Sequence, residues 1–484
     1  MGKKGTQNIF FTKTQNMNRI SLLTLIFLLK SASLLSQNSC ECEAILEQII
    51  QKVETEYPGF GDKTKNIAGY NSFKNALSDS VKNAKDKSCQ PYLERYCRYF
   101  KDGHLVLVSK NQSKTESGIT IAETVQIDIP TFEKQVLKSK DKIVGIWISG
   151  GYKVGITKQN DDYIGFITSS ENKSWSPKEL KFKLLADNKA EYYKGNHSKV
   201  NESFIVKNDC ILYFEGIQTA FIKENPLPSI SKDSIAIILN EIEGFYLKPV
   251  SNKTLLLRIS SFDYEYVERI KELIESNKSK ILSCENLIID LRGNGGGTDN
   301  AYKPLLPLIY TNPVRYLSGE YLVSQTLIGN LEKWANSADT IKNSDEIKSV
   351  RKDIDRMKPN IGKFIPYSEN DNFGFTKQDS IYTNPKEIVI LADKKCGSST
   401  EKFILNAKQS KKVKIMGNTT FGAVDYVSVM EFLIGCQDYS LYMPTVRMMR
   451  LPDYPIDNIG IQPDIFLDKF VNDWIEYAKD YLEN

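Results

Sequence analysis

Histidine is almost missing from this chain: 484 residues contain two, His104 and His197. With so few imidazoles and no Cys-x-x-Cys pair, a transition-metal site has little to be built from. Excess charge is missing too. Sixty-four basic side chains stand against 60 acidic ones, a net charge of +4, which gives no footprint for nucleic acid or an anionic membrane, so the charges read as solvated faces. Beyond the first 30 residues no apolar run approaches the roughly 20 residues that a membrane-spanning helix needs. No internal repeat or low-complexity tract occurs.

What is present at the N-terminus is Arg19, the apolar run Ile20 to Leu29, and the small and polar stretch Lys30 to Gln37. This order resembles a secretory signal peptide, with Met17 as an alternative start. Residues 1–37 are read as a leader and the mature chain as exported, periplasmic or extracellular, with no integral membrane segment. Lipid anchoring through Cys40 is disfavoured, because Gln37, Asn38 and Ser39 lack the apolar residue expected three positions before a lipidated cysteine. Eight cysteines fit an oxidising compartment. Four of them, Cys40, Cys42, Cys89 and Cys97, cluster near the N-terminus and predict one or two disulfides. Cys210, Cys284, Cys396 and Cys436 stand singly in apolar segments and are assigned no chemistry.

The chain exceeds the roughly 250 to 300 residues at which a single core stops growing. Its expected class is multidomain α+β. Apolar residues at helical spacing, Ile45, Leu46, Ile49, Ile50 and Val53, predict a helical domain over 38–135. It ends in the turn Lys101-Asp102-Gly103-His104, followed by a strand from Leu105 to Val108. Short alternating runs over 136–228 predict a small antiparallel β domain, barrel or sandwich, with His197 in an exposed loop. Residues 229–484 alternate strand and helix patterns, as an α/β core does. A charged helical insertion is expected near 324–360.

Two segments of that core carry chemistry. The strand Leu287 to Leu291 runs into Arg292-Gly293-Asn294-Gly295-Gly296-Gly297. Glycines let a backbone approach a ligand and aim N–H groups at an oxyanion; a plain tight turn is the other reading. No Gly-Lys-Ser/Thr follows, which disfavours a phosphate cradle. In the second segment Cys396-Gly397-Ser398-Ser399-Thr400-Glu401 opens a helix. Serine three positions before glutamate is a capping box, and a hydroxyl there also lies beside free helix N–H groups.

Together these segments resemble the C-terminal-processing (tail-specific) serine peptidases, whose pattern joins D-L-R-x-N-x-G-G to a later S-x-x-E and a G-x-T-F-G stretch. The third piece here is Gly417-Asn418-Thr419-Thr420-Phe421-Gly422. The resemblance, over residues 250–470, implies a ClpP/crotonase-like core and Ser398 as nucleophile. Ser399 is the reserve nucleophile. Oxyanion donors are implied at the Ser399 N–H and at a glycine of the turn, Gly296. The branch with a lysine base has that lysine directly after T-F-G, where this chain has Ala423. Lys402 and Lys408 read as solvated. A second branch, resembling the tricorn protease, uses a histidine ahead of the core and an acid near the C-terminus. Asp102-Gly103-His104 and Asp457-Asn458-Ile459-Gly460 match those pieces, although Asp457 stands for a glutamate and Gly103 for a serine. Asp464 reads as tying a turn.

The implied reaction is hydrolysis of peptide bonds in a peptide or protein substrate through an acyl-enzyme, with His104 as base and no cofactor or metal. The β domain stands where relatives carry a PDZ module and lacks a PDZ-like carboxylate-binding loop. The alternatives are a catalytically silent peptide- or ligand-binding protein on the same scaffold, and an acyl-CoA enzyme, against which export argues.

Overall fold

The computed structural model describes residues 41–83, 88–110, 123–338, 344–369, 372–436 and 438–484. The expected leader and Cys40 lie outside them. The fold is multidomain α+β, with helices, open sheets and a small closed barrel.

A six-stranded sheet lies at the centre, in the order Phe245–Pro249, Thr254–Ile259, Asn286–Asp290, Glu387–Ala392, Val413–Gly417 and Ile465–Phe466. The first pair is antiparallel and the rest are parallel. Both faces are covered, which is why the inner strands read as unbroken apolar runs. Leu257, Ile289 and Ile390 face a core shared with Ile270, Phe403 and Ile404. Leu256, Ile288 and Val389 face Ala478 and Leu482 of the last helix, Trp474–Glu483. The turns after Asn286–Asp290 and Glu387–Ala392 therefore emerge side by side at one end of the sheet.

A second sheet joins the two ends of the chain. Its long strand Tyr439–Met448 pairs with Val106–Ser109, Gly319–Leu322 and Tyr426–Phe432, and Gly319–Leu322 pairs in turn with Phe364–Pro366. The helices Cys42–Glu56, Ile67–Lys82 and Gln90–Tyr99 pack on this sheet. Ile49, Val53, Tyr70, Tyr96 and Phe100 share one core with Tyr426, Phe432, Leu441 and Met443. The segment carrying His104 is thus welded to the C-terminal half by burial and by strand pairing. Two helices, Gln325–Ser337 and Ser344–Met357, stand in the region of the expected insertion.

Residues 145–225 form a closed barrel of eight antiparallel strands, filled by Trp147, Phe182, Phe214 and Phe221. Lys181 is buried in it, its Nζ 4.2, 4.3 and 4.8 Å from the rings of Tyr152, Trp175 and Tyr192 and donating to the Tyr193 carbonyl at 2.7 Å. Burial lowers its ammonium to about 8. His197 lies in the expected loop, where Lys194, Gly195 and Asn196 are exposed, but its own side chain is not. It is half-buried, stacked at 4.0 Å on Trp175, with Nε2 3.4 Å from Glu179.

Cys42 and Cys89 form a disulfide that ties the starts of two N-terminal helices. Cys97 is free and buried, as are Cys210 and Cys396, while Cys284 is free and half-buried. Cys436 departs from the expectation of no chemistry, since it is disulfide-bonded.

Candidate active site

The nucleophile candidate is held by backbone constraints. Ser398 opens the helix Ser399–Ala407 with φ 53° and ψ −121°, a conformation that costs a non-glycine residue about 1–3 kcal/mol and persists only where the surroundings enforce it. The enforcer is Glu401. This side chain is fully buried, and one oxygen, Oε2, accepts from the N–H of Ser398 (3.2 Å) and of Ala423 (2.8 Å). The other, Oε1, accepts from Thr420 Oγ1 (2.5 Å) and the Gly422 N–H (2.8 Å). The capping box thus reaches beyond its own helix and clamps T-F-G to the serine turn, which satisfies a buried carboxylate that would otherwise be costly.

His104 arrives from 294 positions away, with Nε2 3.2 Å from Ser398 Oγ. Its Nδ1 lies 2.7 Å from the carbonyl oxygen of Tyr426. A carbonyl only accepts, so the neutral ring carries its proton on Nδ1 and Nε2 faces the serine as an acceptor. Below the ring, the His104 N–H donates to Asp102 Oδ1 at 2.8 Å, and the Tyr57 hydroxyl donates to Asp102 Oδ2 at 2.8 Å. Burial holds the Asp102 carboxyl above the usual range, opposed by His104. Gly103 faces the T-F-G segment: a Cβ there would lie 2.5 Å from the Phe421 ring and 3.1 Å from the Ala423 Cβ. The histidine corner thus packs against Ala423, the residue directly after T-F-G.

Asp457 stands one step behind. Among the described residues no hydrogen bond joins it to His104. Its Oδ1 accepts from the N–H of Val424 (2.9 Å) and Asp425 (2.8 Å), the two residues before Tyr426, and Oδ2 lies 3.5 Å from Lys63 Nζ. Burial pushes its carboxyl up to about 7, with Asp102 and Asp425 adding to the shift. Asp425 is buried as well, accepting from Arg450 (2.6 Å) and from the N–H of Ile456 (3.0 Å) and Asp457 (2.8 Å).

The glycine turn packs directly on the serine. A Cβ at Gly296 would lie 2.8 Å from Ser398 Cβ and 2.9 Å from the Ser399 nitrogen, and the residue has φ +100°. The Gly296 N–H, however, donates to Asn294 Oδ1 at 3.0 Å. Gly296 is thus a bare wall beside the serine, with its own amide already engaged. The Ser399 N–H, an orphan of the first helical turn, has no partner among the described residues. Ser399 Oγ donates to the Gly297 carbonyl at 3.1 Å, which leaves the reserve nucleophile without a base. Lys402 is paired with Asp299, Lys408 with Asp464 at 2.6 Å, and Asp464 also accepts from the Ile415 N–H.

Sequence reasoning missed Tyr57, Asp425 and the Tyr426 carbonyl, and it took Asp102 only as part of a turn. An aspartate two residues before a histidine is an Asx-turn signal, and that signal was available for Asp102.

Residues 253–320 and 329–467 match peptidase family S41. Among solved structures the chain is similar to mature CPAF, at 14% identity and TM-score 0.49 over 92% of this chain and 97% of that one. It is also similar to the photosystem II D1 C-terminal processing protease, at 12% identity and TM-score 0.35 over 92% and 98%. For the tricorn protease the identity is 12% and the TM-score 0.41, over 92% of this chain and 37% of that one. Each of these likenesses is too distant to bear on the site. The comparison with curated proteins finds no match. With the family's three motifs gathered around one serine, and its sequence pattern matched over residues 253–320 and 329–467, the core of this chain is that of a serine-type peptidase of family S41.

Proposed function

We propose that this serine peptidase works through Ser398 with His104 as general base, as in the branch resembling the tricorn protease. Ser398 Oγ–H donates to Nε2 of His104, the freed oxygen attacks a peptide carbonyl, and the imidazolium returns its proton to the leaving amine. Water then repeats the sequence on the acyl-enzyme. The Ser399 N–H, at the positive end of its helix, is the oxyanion donor, and bare Gly296 keeps the approach to it open. The Tyr426 carbonyl stands where other triads have a carboxylate. Asp457 positions that carbonyl through the backbone. The contact that carries this reading is the 3.2 Å approach of Nε2 to Ser398 Oγ, with Nδ1 turned to a carbonyl.

The layout that goes with it is a leader over 1–37, a helical domain over 38–135 that supplies the base, a β domain over 136–228 and a ClpP/crotonase-like peptidase core over 229–484. Export is supported by the Cys42–Cys89 disulfide. A serine-directed phosphonate tests the site, because it labels only an activated hydroxyl. Labelling should occur at Ser398 and vanish in a folded His104→Ala variant. Undiminished labelling in that variant would remove His104 from the mechanism.

A further inference from the structure

The central sheet ends in an edge strand that lies three strands away from the strand leading to Ser398. Among the described residues its first strand, Phe245–Pro249, pairs only with Thr254–Ile259. The hydrogen-bond phase fixes which groups remain free. Ser260 N–H donates to Gly244 O and Val250 N–H to Thr254 O, both pairs lying in the register Phe245↔Ile259. In an antiparallel ladder bonded and non-bonded pairs alternate. Residues 244, 246, 248 and 250 thus bond inward, and the N–H and C=O of Phe245 and Leu247 and the C=O of Pro249 point out, without partners among the described residues; Phe245 is itself buried, so the groups open to a partner are those of Leu247 and Pro249.

Phe245, Tyr246 and Leu247 of this strand line an open groove of about 690 Å³ between the helices Lys232–Glu243 and Val267–Ser276. Gly244, at φ +80° with Ser260 packed against it, turns the chain from the first helix into the edge and so fixes the wall against the floor. Ile237 is 60% exposed on that wall, and Leu273 lines the opposite one. The unpaired charge among the residues lining the groove is acidic. Arg269 is taken by Glu243 at 2.6 Å and by Asn240, while Glu241, Glu272 and Glu275 form no ion pair among the described residues.

We propose that this edge is a peptide-binding groove, in which an extended segment of a partner protein with alternating basic and apolar residues adds a seventh strand. Main-chain groups supply affinity in this mode of recognition and alternate side chains supply specificity. Free edges are normally blunted or covered; exposed Lys248 and Pro249 blunt one end of this one, and the flanking helices leave a slot beside Leu247. A second copy of the chain fits less well, since edge-to-edge pairing sets the three carboxylates against their own copies. The inference does not rest on the peptidase mechanism.

The test uses the full chain as Ser398→Ala, so that turnover plays no part, and fluorescent peptides of about eight residues alternating Lys with Val or Glu with Val. Anisotropy should show binding of the Lys–Val peptide that weakens with salt, and none of the Glu–Val peptide. Reversing Glu241, Glu272 and Glu275 to lysine should weaken it by about tenfold or more. Leu247→Pro removes an outward N–H without touching the inner ladder and should weaken it too, with an unchanged circular dichroism spectrum. Equal binding to the charge-reversed chain, or to a folded Leu247→Pro chain, overturns the proposal. So does sedimentation showing a dimer that Leu247→Pro dissociates, which assigns the edge to a second copy.

Discussion

The two halves of the candidate site are built in different ways. The serine half is made of backbone: three turns from neighbouring strands, glycines where a Cβ has no room, a helix N-terminus and one buried glutamate holding four donors. The histidine half is made of side chains reaching across the chain. Tyr57 holds Asp102, Lys63 meets Asp457, and Asp62 bridges Tyr426 and Arg447. Construction from backbone leaves a pattern in the sequence, because each element must lie next to its neighbour. Construction from tertiary side-chain contacts leaves almost none.

The comparison breaks most sharply if the halves do not act as one unit. Ser398→Ala and His104→Ala should each lower turnover by a factor on the order of 10⁶, and the double variant should be little worse than either. Additive losses in kcat would mean that the histidine works apart from the serine. Next in size is the wall of the serine half. Gly296→Val sets a side chain against Ser398 and the Ser399 nitrogen, and should cost about 10² to 10³ in turnover, the scale of a lost oxyanion donor. Undiminished turnover would detach the turn from the chemistry.

The histidine half is probed through stability. Asp457 holds its proton to about pH 7 in the folded chain and to about 3.9 when unfolded. The folded state therefore binds the extra proton between those values, and the group's contribution to stability falls as pH rises through that window, then stays level. In melting curves, Asp457→Asn should gain on the wild type between about pH 4 and pH 7, by an amount on the order of a few kcal/mol. A difference independent of pH would contradict the buried, protonated carboxyl. Smaller still is Tyr57→Phe, which frees one oxygen of Asp102. Loss of a hydrogen bond to a charged group costs about 1.5–3 kcal/mol, and turnover should drop by roughly tenfold with KM unchanged. A rise in KM alone would make Tyr57 a binding residue.

Legibility follows the same division. D-L-R-x-N-x-G-G and S-x-x-E were readable because strand, turn and helix are contiguous, and the capping box named Glu401 even though its bonds to Thr420, Gly422 and Ala423 were out of reach. His104 stood out through the resemblance carried by Asp102-Gly103-His104, with only one other histidine in the chain to compete. Its partner was not, because the Tyr426 acceptor is a carbonyl that every residue possesses. Asp457 was found by pattern, yet its hydrogen bonds go to Val424 and Asp425 and not to the imidazole. Cys436 looked like filler among apolar neighbours, and nothing in its local sequence marks it as disulfide-bonded.

The contact between Gly103 and Ala423 bears on how such sites can change over time. A side chain at Gly103 would run into the Phe421 ring and the Ala423 Cβ. The small residues at 103 and 423 are therefore tied to one another, and enlarging either one pushes the histidine corner away from the serine turn, so the two positions are free to vary only together.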